Sequence, residues 1–226
     1  MMAKLVYKRK NGQWEARYKK GKKADGTTRY ACVIGHSYDE AVAKRTALLG
    51  YDPDNPVVTS DMNILILGAG SFGREVKEVL EQIRIFNKIA FLDDNLTGDG
   101  ILGKCTDAGT FRLSYPCAFV AIGDNTVRRK YAQMLEEKHF LIPTVISPDA
   151  IVSPKAVIGK GSMVFAQGNV GAATVGEFCI VEPNGLVNAN AGVGRFTHLG
   201  SGAIVLKDTQ VPEETWVKPG RVFGEE

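Results

Sequence analysis

From residue 145 the chain places an aliphatic side chain at nearly every sixth position. The series runs Val145, Ile151, Val157, Met163, Asn169, Val175, Val181, Val187, Val193, Leu199, Val205, Val211 and Val217, and Asn169 is its one polar member. Small residues follow many of these slots by four positions: Gly161, Ala173, Cys179, Gly185, Ala191, Thr197 and Ala203. A half-buried strand alternates at two and a helix at 3.6, so neither sustains a period of six. Each hexad instead suits one flat side of a three-sided prism, its large residue on the axis and its small one at the corner. Eighteen residues close a turn, which predicts about four turns over 143–226.

A different pattern precedes it. "NILIL" reads as a buried strand leading into Gly68, Gly70 and Gly73, a G-x-G-x-x-G turn, and then a helix with Phe72, Val76, Val79, Leu80 and Ile83 on one face. "KIAFLDDN" predicts a second strand ending at Asp93 and Asp94. "CAFVAIGDN" predicts a third ending at Gly123, Asp124 and Asn125. The helix that follows is apolar at Val127, Tyr131, Met134 and Leu135. Strand–helix alternation predicts a small parallel sheet over 62–142 with ligands at the strand C-termini. Taken alone, the glycine pattern fits a tight turn equally well. Two further polar strand ends at the same sheet edge favour a nucleotide site, and a sheet of three or four strands suits a single nucleotide better than a dinucleotide.

Residues 1–50 read as three strands and a helix. Asn11-Gly12 and Asp25-Gly26 mark turns, Ser37 and Glu40 are spaced as a capping box, and Gly50 is a stop. Alternation sets Trp14, Ala16 and Tyr18 against Glu15, Arg17 and Lys19. The Pro/Asp-rich stretch 51–61 predicts a linker. Charge follows the same division. Residues 1–60 hold 12 Lys and Arg against 6 Asp and Glu, whereas the remainder holds 16 against 19, within a net charge of +3. A small basic module thus precedes a mildly acidic body. Four widely spaced cysteines without a C-x-x-C pair fit reduced thiols in the cytoplasm, and no run is apolar enough for a membrane span. No metal site is expected.

The motifs "ILILGAGSFGREV", "FLDDN", "VAIGDNTVRRK", "PTVISPDAIVSPKAVIGKGSMV" and "VGEFCIVEPNGLVNANAGVGRFTHLGSGAIV" resemble the bacterial nucleotide-sugar acyltransferases of the hexapeptide-repeat superfamily, over residues 62–222. This resemblance implies α/β plus β-solenoid architecture, with a Rossmann-like domain followed by a left-handed parallel β-helix, and it implies a homotrimer. It also implies acetyl-CoA as co-substrate and a UDP-sugar held by Gly68, Gly70, Ser71, Gly73, Asp93, Asp94, Gly123, Asp124 and Asn125. Asn188 and Asn190 would flank the reacting group, and Gly202 would border the CoA groove. Residues 4–50 resemble the arm-type DNA-binding domain of tyrosine recombinases, which would turn Arg17, Lys19 and Arg29 toward DNA; a solvated basic sheet is the equal alternative.

The resemblance places the family's base histidine at position 189, which here is Ala189. His198 matches a second family histidine that faces the acetyl group, and it should point outward, toward a neighbouring subunit. A positioned general base contributes roughly 10²–10⁴ in rate, and alanine supplies none. Three outcomes follow: His198 acts as base, a carboxylate such as Asp208 or Glu182 does, or the chain binds nucleotide sugar without turnover. His36 beside the capping box and His139 at a helix end have structural explanations.

Overall fold

Gly12, at φ 85°, closes the first hairpin, with the Arg9 amide bonded to the Gln13 carbonyl at 2.7 Å. Only Gly12 adopts the left-handed conformation that the Asn11-Gly12 pair predicted. The computed structural model of the chain describes residues 6–22, 27–37, 40–41, 62–98 and 100–224. It divides into two units, Met1–Val57 and Val58–Glu226. In the first, β1 (Val6–Lys8), β2 (Trp14–Lys22) and β3 (Thr28–Gly35) form an antiparallel sheet in that order, with an irregularity between Lys19 and Gly21. Ser37 accepts the Glu40 amide at 3.1 Å, and the Glu40 carboxylate accepts the His36 amide at 2.7 Å, a close relative of the expected capping box. The Asp25-Gly26 turn and most of the helix expected after Ser37 lie outside the described residues.

The second unit opens with a parallel sheet of β4 (Asn63–Leu67), β5 (Lys88–Leu92) and β6 (Cys117–Val120), ordered β5-β4-β6. Its central strand is wholly buried from Ile64 to Leu67, as its uninterrupted aliphatic run requires. Helix α1 (Ser71–Ile83) covers it through Val76, Val79 and Leu80, and a short α2 (Ala108–Phe111) precedes β6. Helix α3 (Asn125–Glu137) departs from expectation. It buries Arg128, Tyr131, Ala132 and Leu135, while Val127 is exposed. The stripe 128–131–132–135 has helical spacing, with an arginine at its head.

Fourteen two-residue strands, β7 (Val145–Ile146) through β20 (Val222–Phe223), then stack as three parallel sheets. The orders are β19-β16-β13-β10-β7, β20-β17-β14-β11-β8 and β18-β15-β12-β9. A parallel β-solenoid follows, as the period of six requires.

The phase of the first coils is shifted by one from the expected series. Val164 and Val170 lie in the axial core with no exposure, packed beside Ile146, Val152 and Ile158, whereas Ile151 and Val157 are 64% and 61% exposed. The cause is one short corner. Met163 pairs with Val145, eighteen residues back, but with Ile180, seventeen ahead. Left-handed corner residues recur every six positions from Phe178 through Gly220, yet eleven separate Gln167 from Phe178. Asn169 broke the apolar series because the series had slipped onto the outward residues.

Candidate functional site

The glycine turn is built for close approach. Gly68 has φ 105°, and a Cβ there would meet the Ala121 carbonyl oxygen at 2.5 Å; one on Gly73 would meet the Gly68 oxygen at 2.0 Å. At Gly70 a Cβ would meet nothing within 4 Å. The first and third glycines therefore pack strand, loop and helix, and the second leaves open space at the N-terminus of α1 beside Ser71, where an anion is favoured.

Asp93 is consumed by backbone. It accepts from the amides of Ala69 (2.7 Å), Asn95 (2.9 Å) and Leu96 (2.8 Å). Partial burial opposes its charge, but these three N–H groups prevail and hold its pKa below the usual carboxylate value. Asp94 accepts the Cys105 amide at 2.9 Å and the Tyr131 hydroxyl. Burial and the two aspartates push the Cys105 thiol up to about 12, which favours the neutral thiol over the thiolate. Both aspartates thus brace the mouth of the sheet. Asp124 caps α3 by accepting the Val127 amide at 2.8 Å, and the Asn125 amide donates to the Glu214 carbonyl at 2.8 Å.

The outward column of the first solenoid sheet is Val145, Met163, Ile180, His198 and Trp216. The first three are at most 2% exposed, the His198 side chain is 14% exposed, and Trp216 is 58% exposed. Phe72 on α1 packs near Phe165 at 5.6 Å, and Ala132 on α3 packs on Phe178 and Phe196. The column therefore runs out from beneath the Rossmann-like layer, and His198 sits at the rim of the seam.

Three groups define that histidine. Its Nε2 lies 2.7 Å from the Glu182 carboxylate, and its Nδ1 lies 3.3 Å from the Gly123 carbonyl oxygen. Glu182 is held in turn by the Ser201 amide (2.9 Å) and hydroxyl (2.6 Å). Burial opposes ionisation of Glu182, yet the Ser201 hydroxyl and His198 prevail and keep its pKa below the usual range. The ring points outward as expected, and what it meets there is the chain's own Gly123. Sequence reading named Glu182 only as a possible substitute base; the column spacing places it one coil before His198.

Asn188 donates to the Val205 carbonyl at 2.9 Å, and Asn190, a left-handed corner at φ 61°, donates to Asp208 at 2.9 Å. Both amides tie adjacent coils. Ala189 between them offers no titratable group. Beside them an open groove of about 560 Å³ is lined by Ala172, Thr174, Asn190, Gly192 and Gln210. Gly202 forms another corner, with open space where a Cβ would stand.

In the first unit, Glu15 is 5% exposed and lies between Arg9 and Arg17, the latter at 3.1 Å. Arg17 is thus tied to an acid on its own sheet. The side chains of Lys19 and Arg29 lie outside the described residues.

The glycine turn, three-stranded parallel sheet and hexad solenoid with a histidine at the seam define a class. Residues 63–135 match the family described as the PglD N-terminal domain, and the second unit is similar to the PglD-like nucleotide-sugar acyltransferases. Among relatives, a stretch of 111 residues is 32% identical to the UDP-N-acetylbacillosamine N-acetyltransferase of Bacillus subtilis. That stretch covers 46% of this chain and 51% of that protein, so the chain spans about half the length of the curated relative it matches. The acetyltransferase domain of PglB from Neisseria gonorrhoeae, in complex with acetyl coenzyme A, is 26% identical with a TM-score of 0.59. There 71% of this chain and 89% of that one are covered. A histidine-to-asparagine mutant of perosamine N-acetyltransferase from Caulobacter crescentus, in complex with CoA and GDP-perosamine, is 25% identical with a TM-score of 0.61. It covers 73% of this chain and 89% of its own.

Proposed function

We propose that this chain transfers an acetyl group from acetyl-CoA to the amine of a nucleotide-linked amino sugar, a UDP-sugar foremost, with His198 as the general base. The observation that carries this reading is the hydrogen-bonded line Ser201–Glu182–His198 at the seam, with the Gly123 carbonyl facing the other ring nitrogen. With Nε2–H donated to Glu182, the lone pair lies on Nδ1. Its nearest neighbour is a carbonyl oxygen, which has no proton to give, so that lone pair is not spent on a hydrogen bond. As the sugar amine attacks the thioester carbonyl, a C–N bond forms and the C–S bond breaks. The amine proton passes to Nδ1, and the CoA thiolate leaves. The new Nδ1–H then faces the Gly123 oxygen, and Glu182 offsets the positive ring.

The relatives support the ligands. The Neisseria neighbour holds acetyl coenzyme A, and the Caulobacter neighbour holds CoA and GDP-perosamine with one of its histidines replaced. Occupancy of both sites there survives loss of a histidine, which suits a chain that carries Ala189. Open space at Gly70 supports the diphosphate. Ile151 and Val157, exposed on two different sheets, support association into a homotrimer.

The test is thioester loss from acetyl-CoA with a panel of UDP- and GDP-linked amino sugars, for the parent and the Ala189→His variant. The parent is expected to turn over at least one sugar. Silence in the parent with activity in the variant would assign the chain to nucleotide-sugar binding without catalysis.

A further inference from the structure

Arg128 is 1% exposed, and each nitrogen of its guanidinium is engaged. Nε donates to the Phe178 carbonyl at 2.9 Å. Nη1 donates to the carbonyls of Ile122 (3.0 Å) and Gly123 (2.8 Å). Nη2 donates to the Asn125 side chain and the Phe196 carbonyl, both at 2.7 Å. Four of these five acceptors are backbone oxygens, and none is a carboxylate. A buried cation is costly, and one in the first turn of a helix also meets the positive end of the helix dipole. As domain glue, a packed leucine or methionine would serve at less cost.

The placement of the acceptors gives the arginine a further use. Ile122 and Gly123 belong to the loop that carries the carbonyl facing His198 Nδ1, and Asn125 opens α3 just after it. Phe196 lies two residues before His198, and Phe178 is the equivalent corner one coil earlier, its ring stacked on that of Phe196 at 5.2 Å. One planar fork therefore fixes both sides of the His198–Gly123 contact, the loop and the coil.

We propose that Arg128 is a positioning residue: by clamping the Gly123 carbonyl and the Phe196 corner, it holds the carbonyl oxygen against His198 Nδ1, where it accepts the N–H that forms when Nδ1 takes up a proton. The proposal rests on the acetyltransferase reading for its use but not for its geometry. The charged groups near the ring are Glu182 on the preceding coil, Asp124 and Arg128 on the loop and α3, and Glu214 before β19, which is ion-paired with Arg129. Arg128 is the one among them that bonds both the loop and the coil. A lysine has three donors and no fork, so it cannot span the five acceptors.

The test compares the full chain with Arg128→Lys and Arg128→Met. The ring nitrogens of His198 are read by heteronuclear NMR, where only His36 and His139 compete, and steady-state kinetics run in parallel. The parent is expected to show neutral His198 protonated at Nε2. Folded Arg128→Lys should show a displaced Nδ1 resonance, because the carbonyl oxygen no longer lies against it, and a kcat lower by on the order of 10- to 100-fold, with KM for acetyl-CoA within about twofold. An unchanged ring signature in a folded variant overturns the proposal. So does unfolding of both variants, which would make Arg128 a scaffold residue. A parent without turnover would refute the acetyltransferase reading, while the comparison of ring-nitrogen signals would still decide the role of Arg128.

Discussion

Glu182 serves two partners through two oxygens: Oε1 holds the His198 ring, and Oε2 is fixed by Ser201. Its carboxyl is held below the usual value of 4.5 in the folded protein. A depressed acid contributes stability above its unfolded pKa and loses it as pH falls through the folded one. Glu182→Gln is therefore expected to be less stable than the parent at pH 7, with the gap closing below about pH 4.5. Urea unfolding at pH 7 and pH 4 checks this; a gap that is constant with pH contradicts it. His198 was legible in the sequence because it matched a histidine of the family that the hexad motifs resemble. Arg128 was not, since an arginine amid "NTVRRK" reads as one more solvated charge. Its signal lay in the 128–131–132–135 spacing, which matches the buried stripe better than the one through Val127 does. Asp93 and Asp94 were found at the predicted strand end, but their backbone bonds depend on loop conformation, which residue type alone does not specify.

Among the elements, the hexad period was readable because every step between axial residues spans six except the one from Val170 to Val175. Its phase was not. In the first coils both residues of each two-residue strand are aliphatic, Val-Ile or Ile-Val, so the pattern cannot say which faces the axis. The short corner between Asn169 and Val175 then moves the correct choice by one. Val170→Ala should cost roughly 2 kcal/mol by removing two buried methyl groups, whereas Ile151→Ala, read on unassociated chains, should lie within about 0.5 kcal/mol. Denaturant midpoints of the two variants test the phase directly. Equal losses, or a larger loss at Ile151, would restore the original series. The Rossmann-like sheet gave less ambiguity: β4 is apolar at every buried position, and the glycine turn marks where it ends.

At the scale of the whole second unit, function follows from one layer ending on another. The solenoid column passes from Val145 and Met163, sealed under α1 and its neighbours, to His198 at the rim and Trp216 in the open. That edge carries a histidine whose two nitrogens face a carboxylate and a carbonyl. The arrangement needs both layers, which explains why neither the glycine motif nor the hexads alone specified a site. Its central claim is that the His198 ring carries the amine proton. Initial rates of acetyl-CoA thioester loss with a productive nucleotide amino sugar, for the parent and His198→Asn, measure it most directly. The predicted result is a fall of roughly 10²–10⁴ with the folded melting transition retained; rates equal within a factor of about two would contradict it.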